Sequence, residues 1–124
     1  MSIEHDSMTI RRRAPEGSVF TTIWYDSDTL KPHTLLISVG KAGSTLNAAA
    51  DLAARLAGAG FRAGASPGQM AAMIEDISHD HTNGHCEAKS LADAVGQSLR
   101  RFEVFVKERT REVGEPSANQ GVDG

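Results

Sequence analysis

The sequence has one cysteine, Cys86, four prolines and only 5% aromatic residues among its 124. A single thiol excludes an internal disulfide, and outside one short loop there is no second ligand pair at C-x-x-C or H-x-x-x-H spacing to complete a zinc site. No run approaches the roughly 18 consecutive apolar residues that a membrane-spanning helix needs, so no membrane association is expected. Basic charge is not in excess either. The formal net charge is −3, which argues against a nucleic acid polymer as partner. Met1 to Asp6 is polar and acidic with no apolar stretch, so no secretory signal reads from it and a cytoplasmic location is expected. The scarcity of bulky side chains matters most. The chain is 40% apolar, but much of that is alanine, so a single small domain of this length has a thin core. Close helix contacts or subunit contacts must make up the difference, and a homo-oligomer is expected.

Residues Met1 to Gly17 show no sustained periodicity and read as a flexible lead-in, with Met8 to Arg12 able to add a short edge strand. Arg11-Arg12-Arg13 reads as a solvated cluster ahead of the first strand. From Ser18 to Asp26 the pattern alternates. Val19, Thr21, Ile23 and Tyr25 share one face, and Phe20, Thr22 and Trp24 the other, so both faces are partly apolar. Asp26-Ser27-Asp28-Thr29 and Lys31-Pro32 form a turn cluster, and His33 to Val39 completes a β-hairpin.

Two glycines then bracket Gly40-Lys41-Ala42-Gly43-Ser44, between an apolar strand and an alanine-rich helical pattern. The free N–H groups of a helix's first turn favour an anion, and Lys41 stands beside them. This is half of a phosphate loop, because the G-x-x-x-x-G-K-S/T spacing is absent. The glycines serve either as a tight strand-to-helix joint with Lys41 solvated or as a ligand contact.

Ser44 or Gly43 caps the first helix, which places Leu46, Ala49, Ala50, Ala53, Leu56 and Ala57 on one stripe and Asn47, Asp51 and Arg55 on another. That small-residue seam lets another backbone come close, and Gly58 with Gly60 signals the stop. A capping box, Ser66 with Gln69 around Pro67, opens a second helix burying Met70, Met73, Ile74 and Ile77. Ser90 with Asp93 opens the third and longest, which buries Leu91, Ala94, Val95, Leu99, Phe102, Phe105 and Val106 and ends at Gly114-Glu115-Pro116.

Between the second and third helices, His79-Asp80-His81-Thr82-Asn83-Gly84-His85-Cys86 gathers three of the five histidines and the cysteine. Imidazole and thiolate are zinc ligands, yet no ligand pair elsewhere supports a metal site, and none is expected. A polar turn around Asn83-Gly84 whose histidines reach a pocket is the expected role. Such side chains hydrogen-bond a phosphate or a base.

The order of these elements, with Val39-Gly40-Lys41-Ala42-Gly43 and Lys89-Ser90-Leu91-Ala92-Asp93-Ala94 at their joints, resembles the TSCPD domain from about Val19 to Phe105. In that family the domain mostly closes adenosylcobalamin-dependent ribonucleotide reductases. Where the family's name-giving stretch reads T-S-C-P-D, this chain has Lys89-Ser90-Leu91-Ala92-Asp93. The cysteine and proline are missing, so no thiol or metal role transfers, and Ser90 with Asp93 remain as a capping pair. A chain this short has no room for a complete reductase, so the resemblance implies a binding or assembly function and no catalysis. Free-standing relatives of the domain occur in phage genomes. Phage sponge proteins that sequester cyclic nucleotide or cyclic ADP-ribose immune signals are similar in size and plan, an analogy of architecture.

The reading is therefore an α+β fold, a small antiparallel sheet on three helices, with a domain over 18–112 and a disordered tail over 113–124. The expected function is non-catalytic capture of a nucleotide-like small molecule by a homo-oligomer. Its candidate ligand-binding residues are Gly40, Lys41, Ala42, Gly43, Ser44, His79, His81, Asn83 and His85, with no catalytic residue, metal or cofactor. The alternative is an accessory or assembly domain acting with a ribonucleotide reductase catalytic chain.

Overall fold

The computed structural model describes residues 4–40, 43–75, 77 and 86–123, with the side chains of the last helix described as far as residue 112. Its strands β1 (His5–Ala14), β2 (Gly17–Asp26) and β3 (Pro32–Val39) make one antiparallel sheet in the order β1-β2-β3. Helices α1 (Thr45–Arg62), α2 (Pro67–Glu75) and α3 (Leu91–Asp123) follow, so the α+β class and the long last helix are as expected. The first strand corrects the reading of 1–17 as a flexible lead-in. His5–Ala14 pairs with β2 along its whole length, from His5 opposite Asp26 to Ala14 opposite Gly17. Its inward residues include Ile10 and Ala14, both buried, while its outward residues are Ser7, Thr9, Arg11 and Arg13. The short edge strand that Met8 to Arg12 could add is part of it, and the remainder, carrying little bulk, is held by its neighbour's ladder.

One face of the sheet carries the core. Val19, Ile23 and Tyr25 of β2 and Leu35, Ile37 and Val39 of β3 are buried there against α1 and α3. Tyr25, Phe102 and Phe105 meet as tilted rings with centroids 5.4 to 5.8 Å apart, concentrating much of the chain's aromatic bulk at one point. The β2–β3 turn holds Leu30 at φ +62°. That left-handed backbone costs a branched side chain on the order of 1 kcal/mol, offset by burial of the leucine, which is 9% exposed. Asp26 ties the same turn, its Oδ1 accepting from the N–H groups of Asp28 and Thr29 at 2.8 and 2.9 Å.

Helix α1 departs from the stripe expected of it. Ala50, Ala54, Gly58 and Phe61 are its buried residues, whereas Leu56 is 66% exposed and Ala49 and Ala53 are also exposed. The cause is that α1 rests on β3 while α2 packs on α3, which leaves the flank of α1 facing α2 and α3 uncovered among the described residues. Gly58 and Gly60 do not stop the helix. A Cβ at Gly58 would crowd the Arg62 guanidinium and touch the backbone of His33 and Thr34, and one at Gly60 would displace the Met70 methyl, so both glycines sit where neighbours come close. The helix ends instead at Ala63, ahead of Gly64 at φ +108°.

The capping box at α2 is reciprocal, Gln69 N–H donating to Ser66 Oγ at 3.1 Å and Ser66 N–H to Gln69 Oε1 at 2.8 Å. Arg100 grips both carboxylate oxygens of Glu75 and pins α2 to α3. Of the four residues expected inside α2 and just beyond it, Met70 and Ile74 are half-buried but Met73 and Ile77 are exposed. Helix α3 keeps its expected face, with Ala94, Val95, Leu99 and Phe102 buried. It runs past Gly114-Glu115-Pro116, where an end was expected, and its backbone is helical to Asp123, within the stretch expected as a disordered tail. A proline inside a helix removes one hydrogen bond and costs about 3 kcal/mol, a local penalty that bends a long helix without necessarily ending it.

Candidate functional site

The strand-to-helix joint is built as its glycines suggest. Gly40 and Gly43 lie at φ +68° and +84°, where an L side chain is strained. Ser44 is the N-cap of α1, its Oγ accepting from Asn47 N–H at 3.1 Å. Asn47 also reaches back across the turn. Its Oδ1 accepts from the N–H of buried Val39 at 3.1 Å, fastening the end of β3 to the start of α1. The sequence pattern sets Asn47 on the solvent stripe with Asp51 and Arg55, and its clamp is visible only in three dimensions. Of the expected ligand residues, Gly40 lies just past the end of β3, and Gly43 and Ser44 just ahead of α1. Lys41, Ala42, His79, His81, Asn83 and His85 lie outside the described residues.

The start of α3 lies at the same end of the sheet. Ala88 N–H donates to Arg13 O and Arg13 N–H to Glu87 Oε1, both at 2.9 Å, so this segment covers the free edge of β1 at Arg13. Ser90 Oγ then accepts from Asp93 N–H at 2.9 Å, and Asp93 Oδ2 accepts from Lys89 N–H at 2.8 Å. This is the capping pair the sequence suggests.

The helix N-termini differ in what already faces them. At α3 the carboxylate of Asp93 sits within the first turn. At α2 Glu103 Oε2 accepts from Gly68 N–H at 3.1 Å. The first turn of α1 has no acidic residue, so its partial positive charge is the one that no carboxylate answers among the described residues.

Between α1 and the α2–α3 pair runs an apolar groove of about 330 Å³, at the lower end of the roughly 300 to 1,000 Å³ typical of small-molecule sites. Leu35 and Ile37 of β3 form its floor. Ala49, Ala50, Ala53 and Ala57 line the α1 wall, and Met70, Ile74, Leu91, Val95 and Leu99 the other. Its polar groups are Ser90 and Glu16, from the start of α3 and the β1–β2 turn. The groove is thus greasy along its length and polar where two helices begin. Sequence reasoning missed it because the residues come from four separate elements, and the alanine seam was its one visible sign.

At the opposite end of the sheet His5 and His33 meet edge to face, Nδ1 of one and Nε2 of the other 3.1 Å apart, with Thr34 Oγ1 2.9 Å from the second nitrogen of His33. Burial, then the neighbouring His5 and Arg62, hold the His33 imidazole below its ordinary value of 6.5. The turn N–H groups of Thr29 and Asp28 likewise depress Asp26. Among the described residues no group of three His, Cys, Asp or Glu is placed to hold a metal ion. No helix among them is long and apolar enough to cross a membrane.

Comparison of the chain with protein-family models, with curated proteins and with solved structures finds no match.

Proposed function

We propose that the chain is a non-catalytic, oligomeric binding protein that captures a nucleotide-derived ligand. The observation that carries the reading is the apolar groove whose polar end lies at the same end of the sheet as the acid-free N-terminus of α1. A base or sugar face suits the alanine, leucine and isoleucine walls. A phosphate suits the Gly40–Ser44 turn with Lys41 beside it. The resemblance to the TSCPD domain and the analogy with phage sponge proteins extend this to cyclic nucleotide or cyclic ADP-ribose type signals, held without turnover. The His79, His81, Asn83 and His85 loop supplies further hydrogen-bonding groups in this reading.

The test is to heat-denature the purified full chain, identify released nucleotides by mass spectrometry and titrate the apo protein with a panel of cyclic nucleotides. Lys41→Ala is expected to weaken binding by about 1.5 to 3 kcal/mol, the range for a charge-assisted contact, while leaving the apo melting temperature nearly unchanged. Absence of any released or bound nucleotide refutes the capture reading. A second reading, an accessory domain of a ribonucleotide reductase, draws support from the open outer face of the sheet, where Phe20, Trp24 and Leu36 are 42%, 37% and 46% exposed. It predicts co-purification with a cognate catalytic chain, lost on Trp24→Ser.

A further inference from the structure

We infer that a second copy of this chain docks along α1 and covers the mouth of the groove, enclosing it between two subunits. The inference deepens the oligomeric reading above and rests on it. Leu56 and Leu52 follow Ala53 around the α1 surface away from the sheet, and on the facing lip Met73 precedes Ile74 in α2 while Ile77, just past the end of that helix, lines the groove. These four side chains are 66%, 62%, 75% and 54% exposed. They leave roughly 500 Å² of surface bare at the mouth, the size of patch that marks a contact surface and more than half of the roughly 800 Å² per partner that a stable interface buries.

The occupant is a second copy because the surface is self-complementary. A two-fold interface sets each patch against itself, which requires knobs and holes on one helix and no unbalanced charge. On α1 the leucines at 52 and 56 alternate with the small residues Ala49 and Ala53, so two copies of the helix can cross closely with leucine set over alanine. Its charged neighbours Asp51 and Arg55 lie on the other flank and pair with each other at 3.1 Å, so like charges are not opposed across the axis. The closed pair also explains how an 18-residue helix burying only alanine, glycine and one phenylalanine is stabilised: its exposed leucines are covered by its twin.

The experiment is sedimentation of the full chain over a wide concentration range, without added nucleotide, for the wild type, Leu56→Glu, Met73→Glu and Trp24→Ser, with circular dichroism to confirm folding. The wild type is expected at twice 13.2 kDa. Leu56→Glu and Met73→Glu, at exposed positions a folded monomer tolerates, should each weaken self-association by about 100-fold or more, because each buries a carboxylate in an apolar contact. Trp24→Ser, on the opposite side of the sheet, should leave it unchanged. A wild type that stays monomeric overturns the inference, as does dissociation by Trp24→Ser with Leu56→Glu still paired. Nucleotide titration of the same samples keeps the two readings apart. A monomeric wild type that binds nucleotide overturns the pairing and leaves capture standing; a dimeric wild type that Leu56→Glu dissociates but that itself binds no nucleotide upholds the pairing and removes capture.

Discussion

Replacing Asn47 by alanine tests whether the strand-to-helix joint is held by a single side-chain acceptor. The Asn47 carboxamide oxygen receives the N–H of Val39 at 3.1 Å, and Val39 is 1% exposed, so alanine leaves that donor without its partner where water has little access. An unsatisfied buried donor costs about 1 to 3 kcal/mol, and exchanging asparagine for the better helix former alanine returns roughly 0.5 kcal/mol. The net loss is about 0.5 to 2.5 kcal/mol. For a domain of this size that lowers the melting temperature by roughly 2 to 15 °C. Asn47→Asp separates the bond from mere packing, since it keeps an oxygen of similar reach and places a negative charge at the start of α1, where the dipole favours it. Thermal melts followed by circular dichroism for both variants decide the matter. Asn47→Ala within about 0.5 kcal/mol of the wild type, or Asn47→Asp as damaged as Asn47→Ala, would refute the acceptor role.

Thr21 is fully buried between its cross-strand partners Ile10 and Ile37, and its Oγ1 has no hydrogen-bond partner among the described residues. Thr21→Val, nearly the same shape without the hydroxyl, is therefore expected to raise stability by about 1 kcal/mol in urea unfolding; a loss of stability contradicts the assignment of that hydroxyl as unsatisfied. Acid should destabilise the sheet end that carries His33 and Asp26. Because the folded-state value of His33 is depressed below 6.5, the unfolded chain takes up its proton first, so stability is complete above that pH and declines as pH falls toward the folded value. His33→Gln should flatten this part of a melting-temperature profile, and an unchanged slope between about pH 7 and pH 5 counts against it. The depressed carboxyl of Asp26 adds stability that is present above its unfolded value near 3.9 and lost as pH falls through the folded one, so Asp26→Asn should blunt the decline below about pH 4.

Much of the local architecture was legible in the amino-acid order. The alternation from Val19 to Tyr25, the turn residues after Asp26, the paired glycines before Ser44, and the capping signatures Ser66-x-x-Gln69 and Ser90-x-x-Asp93 are interactions between residues a few positions apart. Their outcome depends little on the remainder of the chain. The buried face of α3 was readable for the same reason, because its large residues repeat at the helical period.

What tertiary structure alone decided is which apolar surfaces find a cover. Periodicity assigns Leu56 and Ala53 to the inside of α1, yet α1 sits over β3 with that flank separated from α2 and α3, and the same residues become the wall and lip of a groove. Gly58 and Gly60 read as a stop signal until a strand backbone and a methionine lie against them. β1 reads from the sequence as no more than a short edge strand over Met8 to Arg12, and ten pairings with β2 extend it to His5–Ala14. Asn47 reads as solvated until it meets Val39 across the turn. In each case the deciding partner is distant in sequence, and burial and hydrogen bonding are properties of the pair, so they appear only when the chain has brought both members together.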